Sequence, residues 1–215
     1  LALADPWTGQ VAWQRAFPGR ARPWLIDGDE VAVLDRQGRL AVLRLPGGEE
    51  SLRTQLEAQP DLDEIVVLRS EDGYVLVANR PGGQIGPILI QVAPGNVAVH
   101  GRVYGLERPS GTTGGKKLWS LDVADQAVRI DQPSRLPVLV FYNVIQKQEK
   151  NRFRMFQHTL CLDKRTGRVL HRKEIEGGSH APYRIDADPE HARIEVVTMR
   201  ETIKLTFTGE PVKDP

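Results

Sequence analysis

The feature that most constrains the fold of this chain is a short motif that occurs three times. Each copy contains an acidic residue, a hydroxyl residue, a glycine and then a large ring. The copies are Asp5, Thr8, Gly9 and Trp13; Glu107, Ser110, Gly111 and Trp119; and Asp163, Thr166, Gly167 and His171. A unit that recurs in this way predicts a repeat architecture, in which each repeat buries its apolar face against its neighbours.

Each part of the motif has a structural use. Asp5 can accept hydrogen bonds from the amides two and three residues later, and Thr8 can help to close the turn. Gly9 then permits the positive φ that reverses the chain. In the strand that follows, Val11 and Trp13 share a face, and the indole N–H of Trp13 can donate to a carbonyl of a neighbouring unit. We therefore predict hairpins whose exit strand carries the anchor for the next unit.

Short apolar or alternating segments, separated by turn residues, predict strands throughout the chain, and the predicted fold class is all-β. The predicted strands are Glu30–Leu34, Leu40–Leu45, Ile65–Leu68, Tyr74–Ala78, Ile88–Val92, Val97–His100, Val103–Leu106, Lys117–Leu121, Val138–Val144, Phe153–Leu162, Val169–Glu174, Tyr183–Asp186, Arg193–Val197 and Thr202–Phe207. Only Glu49–Ala58 has helical spacing, with Leu52 and Leu56 four residues apart, and this segment fits a final strand equally well.

The composition excludes several classes of protein. Of 215 residues, 40% are hydrophobic and 27% charged, and the formal net charge is +1, which gives no reason to expect nucleic acid or an anionic membrane as a partner. No apolar run approaches the ~20 residues that cross a bilayer, so no membrane insertion is expected. The single cysteine, Cys161, excludes an internal disulfide. Since Leu1 already lies inside a repeat, we expect further repeats upstream in a longer protein.

The motif copies resemble the tryptophan-docking repeats of quinoprotein-type β-propellers, known as pyrroloquinoline-quinone-like repeats. The resemblance rests on Leu3–Trp13, on Arg102–Glu107 continued by Lys116–Trp119, and on Leu160–Leu170. It implies four-stranded antiparallel blades arranged around a ring. From the spacing of the copies we expect about four to five blades. Residues 1–215 would then form a single β-propeller domain or part of one, with a ring that can be incomplete.

Two copies depart from the family pattern. Glu107 replaces the usual aspartate, and extra residues before Trp119 predict a longer loop in that copy. His171 occupies the position of the tryptophan in the third copy, which should weaken its docking.

The resemblance also implies a chemistry against which the chain can be compared. Enzymes of this type use a quinone and calcium, and in the alcohol dehydrogenases an adjacent cysteine pair often lies beside the cofactor. This chain has one cysteine, and its densest acidic run, Asp61–Glu64, is interpreted as a solvated turn. The five histidines form no HxH or HExxH spacing. We therefore expect no cofactor, no metal and no catalytic residues.

A non-catalytic scaffold or protein-interaction module is the resulting functional hypothesis. One alternative is part of a quinone-dependent alcohol or sugar dehydrogenase whose cofactor residues lie outside this chain. Another is a propeller of the outer-membrane-assembly type. The resemblance slightly favours a location outside the cytoplasm.

One basic segment, Lys147–Arg154, is a candidate partner-binding surface. Phe153 accompanies its four cations, which could bind an acidic partner or a nucleic-acid backbone. The cations are Lys147, Lys150, Arg152 and Arg154. A hairpin tip that charge keeps soluble is the simpler explanation, so we expect a protein partner and not a nucleic acid.

Overall fold

The structure, a computed structural model, describes residues 1–82, 95–108, 114–149, 152–177, 184–191, 193–197 and 202–206. In these ranges the chain forms sixteen β-strands and one 3-10 turn, Pro189–His191. Every strand pairing with an assigned register is antiparallel. The all-β prediction is therefore confirmed.

The chain divides into two compact units. The first comprises Leu1–Gly82 and His100–Asp122, and the second comprises Gly83–Val99 and Val123–Pro215. Two long strands, β9 (Asn96–Glu107) and β10 (Lys116–Arg129), contribute residues to both. The single domain over residues 1–215 stays a prediction.

The first unit is built from one hairpin and two meanders. The hairpin consists of β1 (Ala2–Ala4) and β2 (Val11–Gln14). A four-stranded meander with the order β3-β4-β5-β6 follows, and in the next group β7, β8, β9 and β10 are successive neighbours. The strand bounds are β3 Arg22–Ile26, β4 Glu30–Leu34, β5 Arg39–Arg44, β6 Glu50–Gln55, β7 Glu64–Ser70 and β8 Gly73–Asn79.

Strand β4 is buried along its whole length because apolar layers cover both of its faces. Ala32 and Leu34 belong to the main core, which also contains Leu76 of β8 and Tyr104 of β9. The other face contributes Val31 and Val33 to a smaller cluster that also holds Trp13 and Phe17. A strand covered on both sides has a continuous apolar run, as Val31–Leu34 does after the charged Glu30.

The second unit has a core of its own. Strand β11 (Val138–Glu149) pairs with β12 (Arg152–Asp163), which pairs with β13 (Val169–Glu176). A three-stranded sheet of β14 (Arg184–Asp188), β15 (Arg193–Val197) and β16 (Thr202–Thr206) completes the unit. Its core cluster includes Val140, Tyr142, Cys161, Ile194 and Val196.

The segment that fits a helix and a strand equally well in the sequence, Glu49–Ala58, contains the strand β6 and no helix. Leu52 and Leu56 both enter the main core, although they do so from a strand and from the irregular segment after it. The Leu56 amide donates to Gly38 O at 2.8 Å, which fixes this exit against the β4–β5 turn.

Two predicted strands, Val97–His100 and Val103–Leu106, are one continuous strand in the structure. Gly101 lies between them, and a Cβ added there would lie 2.0 Å from the carbonyl oxygen of Ala78. The glycine therefore permits close backbone approach inside the strand and does not end it. The predicted strand Ile88–Val92 lies outside the described residues.

Candidate functional site

The first motif copy forms the turn between β1 and β2. The Oδ1 atom of Asp5 accepts hydrogen bonds from the amides of Trp7 at 2.8 Å and Thr8 at 2.9 Å. The Gly9 amide donates to the Asp5 carbonyl at 2.9 Å, and φ at Gly9 is +70°. Thr8 Oγ1 accepts from the Gln10 amide at 3.3 Å. The bonds from Thr8 and Trp7 hold the pKa of Asp5 below its ordinary value, so the carboxylate is charged at neutral pH.

The third copy forms the same turn between β12 and β13. Asp163 Oδ1 accepts from the amides of Arg165 at 2.8 Å and Thr166 at 3.0 Å. The Gly167 amide donates to the Asp163 carbonyl at 2.8 Å, with φ +72° at Gly167. The Arg168 amide lies 3.4 Å from Thr166 Oγ1. The two turns therefore share one hydrogen-bond pattern, bond for bond.

Lys164, the residue after the acid in the third copy, is buried. Its amide donates to Pro137 O at 2.9 Å, and its Nζ donates to Pro133 O at 3.3 Å. Burial lowers the pKa of this lysine to about 8. A turn residue that the sequence pattern would expose is therefore held beneath the preceding loop.

Trp13 attaches the first hairpin to the β3–β6 meander. Its ring nitrogen donates to Leu45 O at 2.5 Å. The ring also lies against Gly48, where an added Cβ would be 2.8 Å from Trp13 Cγ. The rest of the ring packs in the cluster that contains Val31 and Leu43. The indole thus combines apolar packing with one directed hydrogen bond, as a docking residue requires.

The middle copy is only partly described. Glu107 ends β9 as an exposed residue opposite Gly73, while Gly111 lies outside the described residues. Trp119 is buried in β10, with its ring against the backbone of Gly105. A Cβ at Gly105 would lie 2.1 Å from Trp119 Nε1. As with Trp13, an indole covers a glycine.

In the third copy the ring position is occupied by His171, which lies in β13 opposite Cys161. Its side chain is half-buried. Burial, and then the charge of Lys173, lower the pKa of His171, so the imidazole is neutral at neutral pH. The docking role assigned to all three copies stays a prediction.

The predicted basic surface is partly neutralised by acids of β13. Lys147 Nζ lies 3.0 Å from both carboxylate oxygens of Glu174 and 4.6 Å from the centre of the Phe156 ring. Arg154 Nη1 lies 3.3 Å from Glu176 Oε1. Arg154 and Glu176 lie on neighbouring strands, whereas Lys147 and Glu174 lie on the two strands that flank β12. Opposite charges this close together stabilise the sheet locally. Lys147 and Arg154 are therefore already engaged inside the unit.

The rest of this segment is less constrained. Arg152 and Phe153 are exposed at the start of β12, and Lys150 lies outside the described residues. The partner-binding role of the four cations is untested and stays a prediction.

A buried carboxylate that the sequence pattern does not reveal, Glu30, lies at the start of β4. One of its oxygens accepts from Tyr74 Oη at 2.8 Å and from Arg69 at 3.0 Å, and the other accepts from Arg108 at 2.9 Å. Burial, and then the bond to Glu30, raise the pKa of Tyr74 to about 12. In the sequence Glu30 looks like an ordinary charged residue at the start of a strand, because its three partners lie 39 or more residues away.

The second missed residue is Trp7, at the tip of the Asp5 turn. Its side chain is 93% exposed, and the turn residues around it are exposed as well. The matching position in the third copy is Arg165, also exposed, so the turn itself does not need an indole. The sequence shows a tryptophan in the turn, but the motif does not predict that its side chain is exposed.

The described residues contain no group of three or more His, Cys, Asp or Glu side chains placed to hold a metal ion. Cys161 is buried in the core, and burial raises the pKa of its thiol to about 12. Asp61 and Asp63 are exposed, as a solvated turn would be.

A family model described as outer membrane protein assembly factor BamB, built on pyrroloquinoline-quinone-like repeats, matches residues 1–180. The chain belongs to this PQQ-repeat propeller family. No curated protein matches the chain significantly.

Membership of the PQQ-repeat family implies the propeller fold for the antiparallel sheets described above. Proteins with this type of propeller commonly bind other proteins. In the described part of this PQQ-repeat protein, no helix has the length and apolar character needed to cross a membrane.

Proposed function

We propose that this chain is a non-catalytic β-propeller module that binds another protein, of the outer-membrane-assembly type that the family description names. Such a role would place it outside the cytoplasm. In this proposal residues 1–215 are one propeller domain or part of one, with about four to five blades.

The exposed indole of Trp7 is the observation that carries the proposal. Tryptophan is among the residues that contribute most to protein interfaces, because it buries a large rigid surface at small entropic cost. The Asp5 hydrogen bonds fix the backbone beneath Trp7 before any partner arrives. Pre-organisation of this kind reduces the entropic cost of binding.

A photo-crosslinking amino acid at position 7 of the full-length protein tests the proposal in the native cell. We expect a discrete protein adduct at position 7. The matched control is position 20, where Arg20 is exposed in the same unit. If position 7 gives no adduct in folded protein, or if both positions give the same adducts, the role of Trp7 is refuted.

A turnover assay tests the non-catalytic part separately. Full-length protein would be incubated with pyrroloquinoline quinone, calcium, alcohols or sugars, and an electron-accepting dye. We expect no turnover above the protein-free rate. Saturable turnover would instead favour the quinone-dependent dehydrogenase.

A further inference from the structure

Strand β13 is an edge strand. In the described part of the chain it pairs with β12 along one side, and no strand pairs with the other. The strand spans Val169–Glu176. An edge of this length has outward-facing N–H and C=O groups that an extended peptide can use.

The edge and the turn before it carry an excess of positive charge. Among the described residues, no carboxylate lies within ion-pair distance of four successive cations there, namely Arg165, Arg168, Arg172 and Lys173. The two acids of the strand are engaged elsewhere, since Glu174 binds Lys147 and His158 while Glu176 binds Arg154. The cations are therefore available to a partner.

Apolar side chains flank this charge on both sides. Val169 is 39% exposed and Ile175 is 40% exposed. Because side chains alternate between the faces of a strand, Arg172 and Lys173 lie on opposite faces. A segment that combined acidic with apolar residues would meet both kinds of neighbour.

We propose that the outer edge of β13 binds an extended acidic segment of a partner protein by strand addition. This inference rests on the proposed function and specifies one partner chemistry for it. Pairing of two copies through this edge is disfavoured, because it would bring the positively charged edges together. The backbone edge favours a peptide over other polyanions, which would use the charges alone.

Fluorescence anisotropy with the full-length protein tests the proposal. The probe is a labelled peptide of alternating glutamate and valine. We expect saturable binding that weakens as salt is raised. The matched probe has the same sequence with N-methyl groups along one edge, which remove the strand-forming amides, and we expect it not to bind.

Charge reversal locates the site. Arg172→Glu should weaken peptide binding by roughly tenfold or more, because it replaces a charge-assisted contact by repulsion. Arg20→Glu makes the same change in net charge at an exposed residue of the other unit and should leave binding unchanged. Circular dichroism would establish that both variants are folded.

Several results would overturn the inference. Equal binding of the two peptides would exclude strand addition, and equal effects of the two variants would exclude β13. Comparable binding of a single-stranded oligonucleotide or an anionic phosphatidylglycerol vesicle would indicate a general polyanion surface. If peptide binding fails while the adduct at position 7 persists, this inference is wrong and the proposed function stands.

Discussion

The Asp5 and Asp163 turns have the same backbone and different side chains. In both turns an aspartate oxygen accepts hydrogen bonds from two backbone amides, and a threonine hydroxyl lies close to a third amide. Both turns also have a glycine at positive φ. After the aspartate, however, the first copy has exposed Pro6 and Trp7, whereas the third has buried Lys164. The backbone demands of the turn are therefore few, and the remaining positions are free to serve packing or binding.

The ring positions of the two copies differ in the same way. Trp13 donates to Leu45 O and covers Gly48, while His171 is a smaller, neutral ring opposite Cys161. The comparison suggests that the first hairpin depends on its ring more than the third copy does.

The largest expected effect on stability comes from replacing Trp13, the ring of the first copy. Trp13→Ala should lower the free energy of unfolding by about 3 kcal/mol, because it removes a packed indole and leaves a cavity. Trp13→Phe should lower it by about 1 kcal/mol, since the ring remains and the bond to Leu45 is lost. Urea denaturation followed by circular dichroism measures both.

His171→Ala is the matched change in the third copy, and we expect a smaller loss than for Trp13→Ala. Equal losses would mean that the histidine docks as strongly as the tryptophan. The contrast between the copies would then be wrong.

A second effect belongs to the third copy alone. The pKa of Lys164 falls from an ordinary 10.5 to about 8, and each pKa unit corresponds to about 1.4 kcal/mol. Because the pKa of Lys164 is lower in the folded than in the unfolded state, charged Lys164 destabilises the folded protein below pH 8. The free energy of unfolding of the wild type should therefore rise as pH goes from 8 to 10.5. Lys164→Met should be more stable than wild type at pH 7 by about 1–2 kcal/mol, since the bond to Pro133 partly offsets the gain.

Thermal melts of wild type and Lys164→Met across this pH range measure that difference directly. We expect the advantage of the variant to shrink as pH rises, because the wild-type lysine becomes neutral. An advantage that stayed constant with pH would show that burial of charge is not its cause.

The smallest effect tests the identity of the two turns. Gly9→Ala and Gly167→Ala should each cost about 1 kcal/mol, because both glycines have φ near +70°. Gly19→Ala is the control, since an added Cβ there meets no atom within 4 Å and its φ is not positive. Unequal losses at Gly9 and Gly167, measured in the same denaturant series, would mean that the turns are not equivalent.

Most strands could be predicted from the sequence because their apolar patterns are local. Glu30–Leu34 and Arg193–Val197 have the predicted bounds. Strand β3, Arg22–Ile26, was missed because Pro23 argues against a central strand. It is tolerated because β3 lies at the edge of its meander, where proline removes no ladder bond that the sheet needs.

The candidate sites were less predictable because they depend on distant partners. The charge of Lys147 is evident in the sequence, but its neutralisation by Glu174 depends on the register of three strands. Lys164 looks like a solvent-exposed turn lysine until the loop above it is placed. The turn hydrogen bonds of Asp5, in contrast, follow from residues two and three positions away.

The buried carboxylate of Glu30 limits how freely this repeat could be exchanged with another. Its hydrogen bonds come from Arg69, Tyr74 and Arg108, which belong to three later segments of the chain. A chimera that received β4 without these residues would bury a charge that no partner compensates. A chimera that received the three residues without Glu30 would leave two arginines and a tyrosine hydroxyl without their shared acceptor. Repeats with similar sequences are therefore not exchangeable one at a time in this part of the molecule, because Glu30 and its three partners must be transferred together.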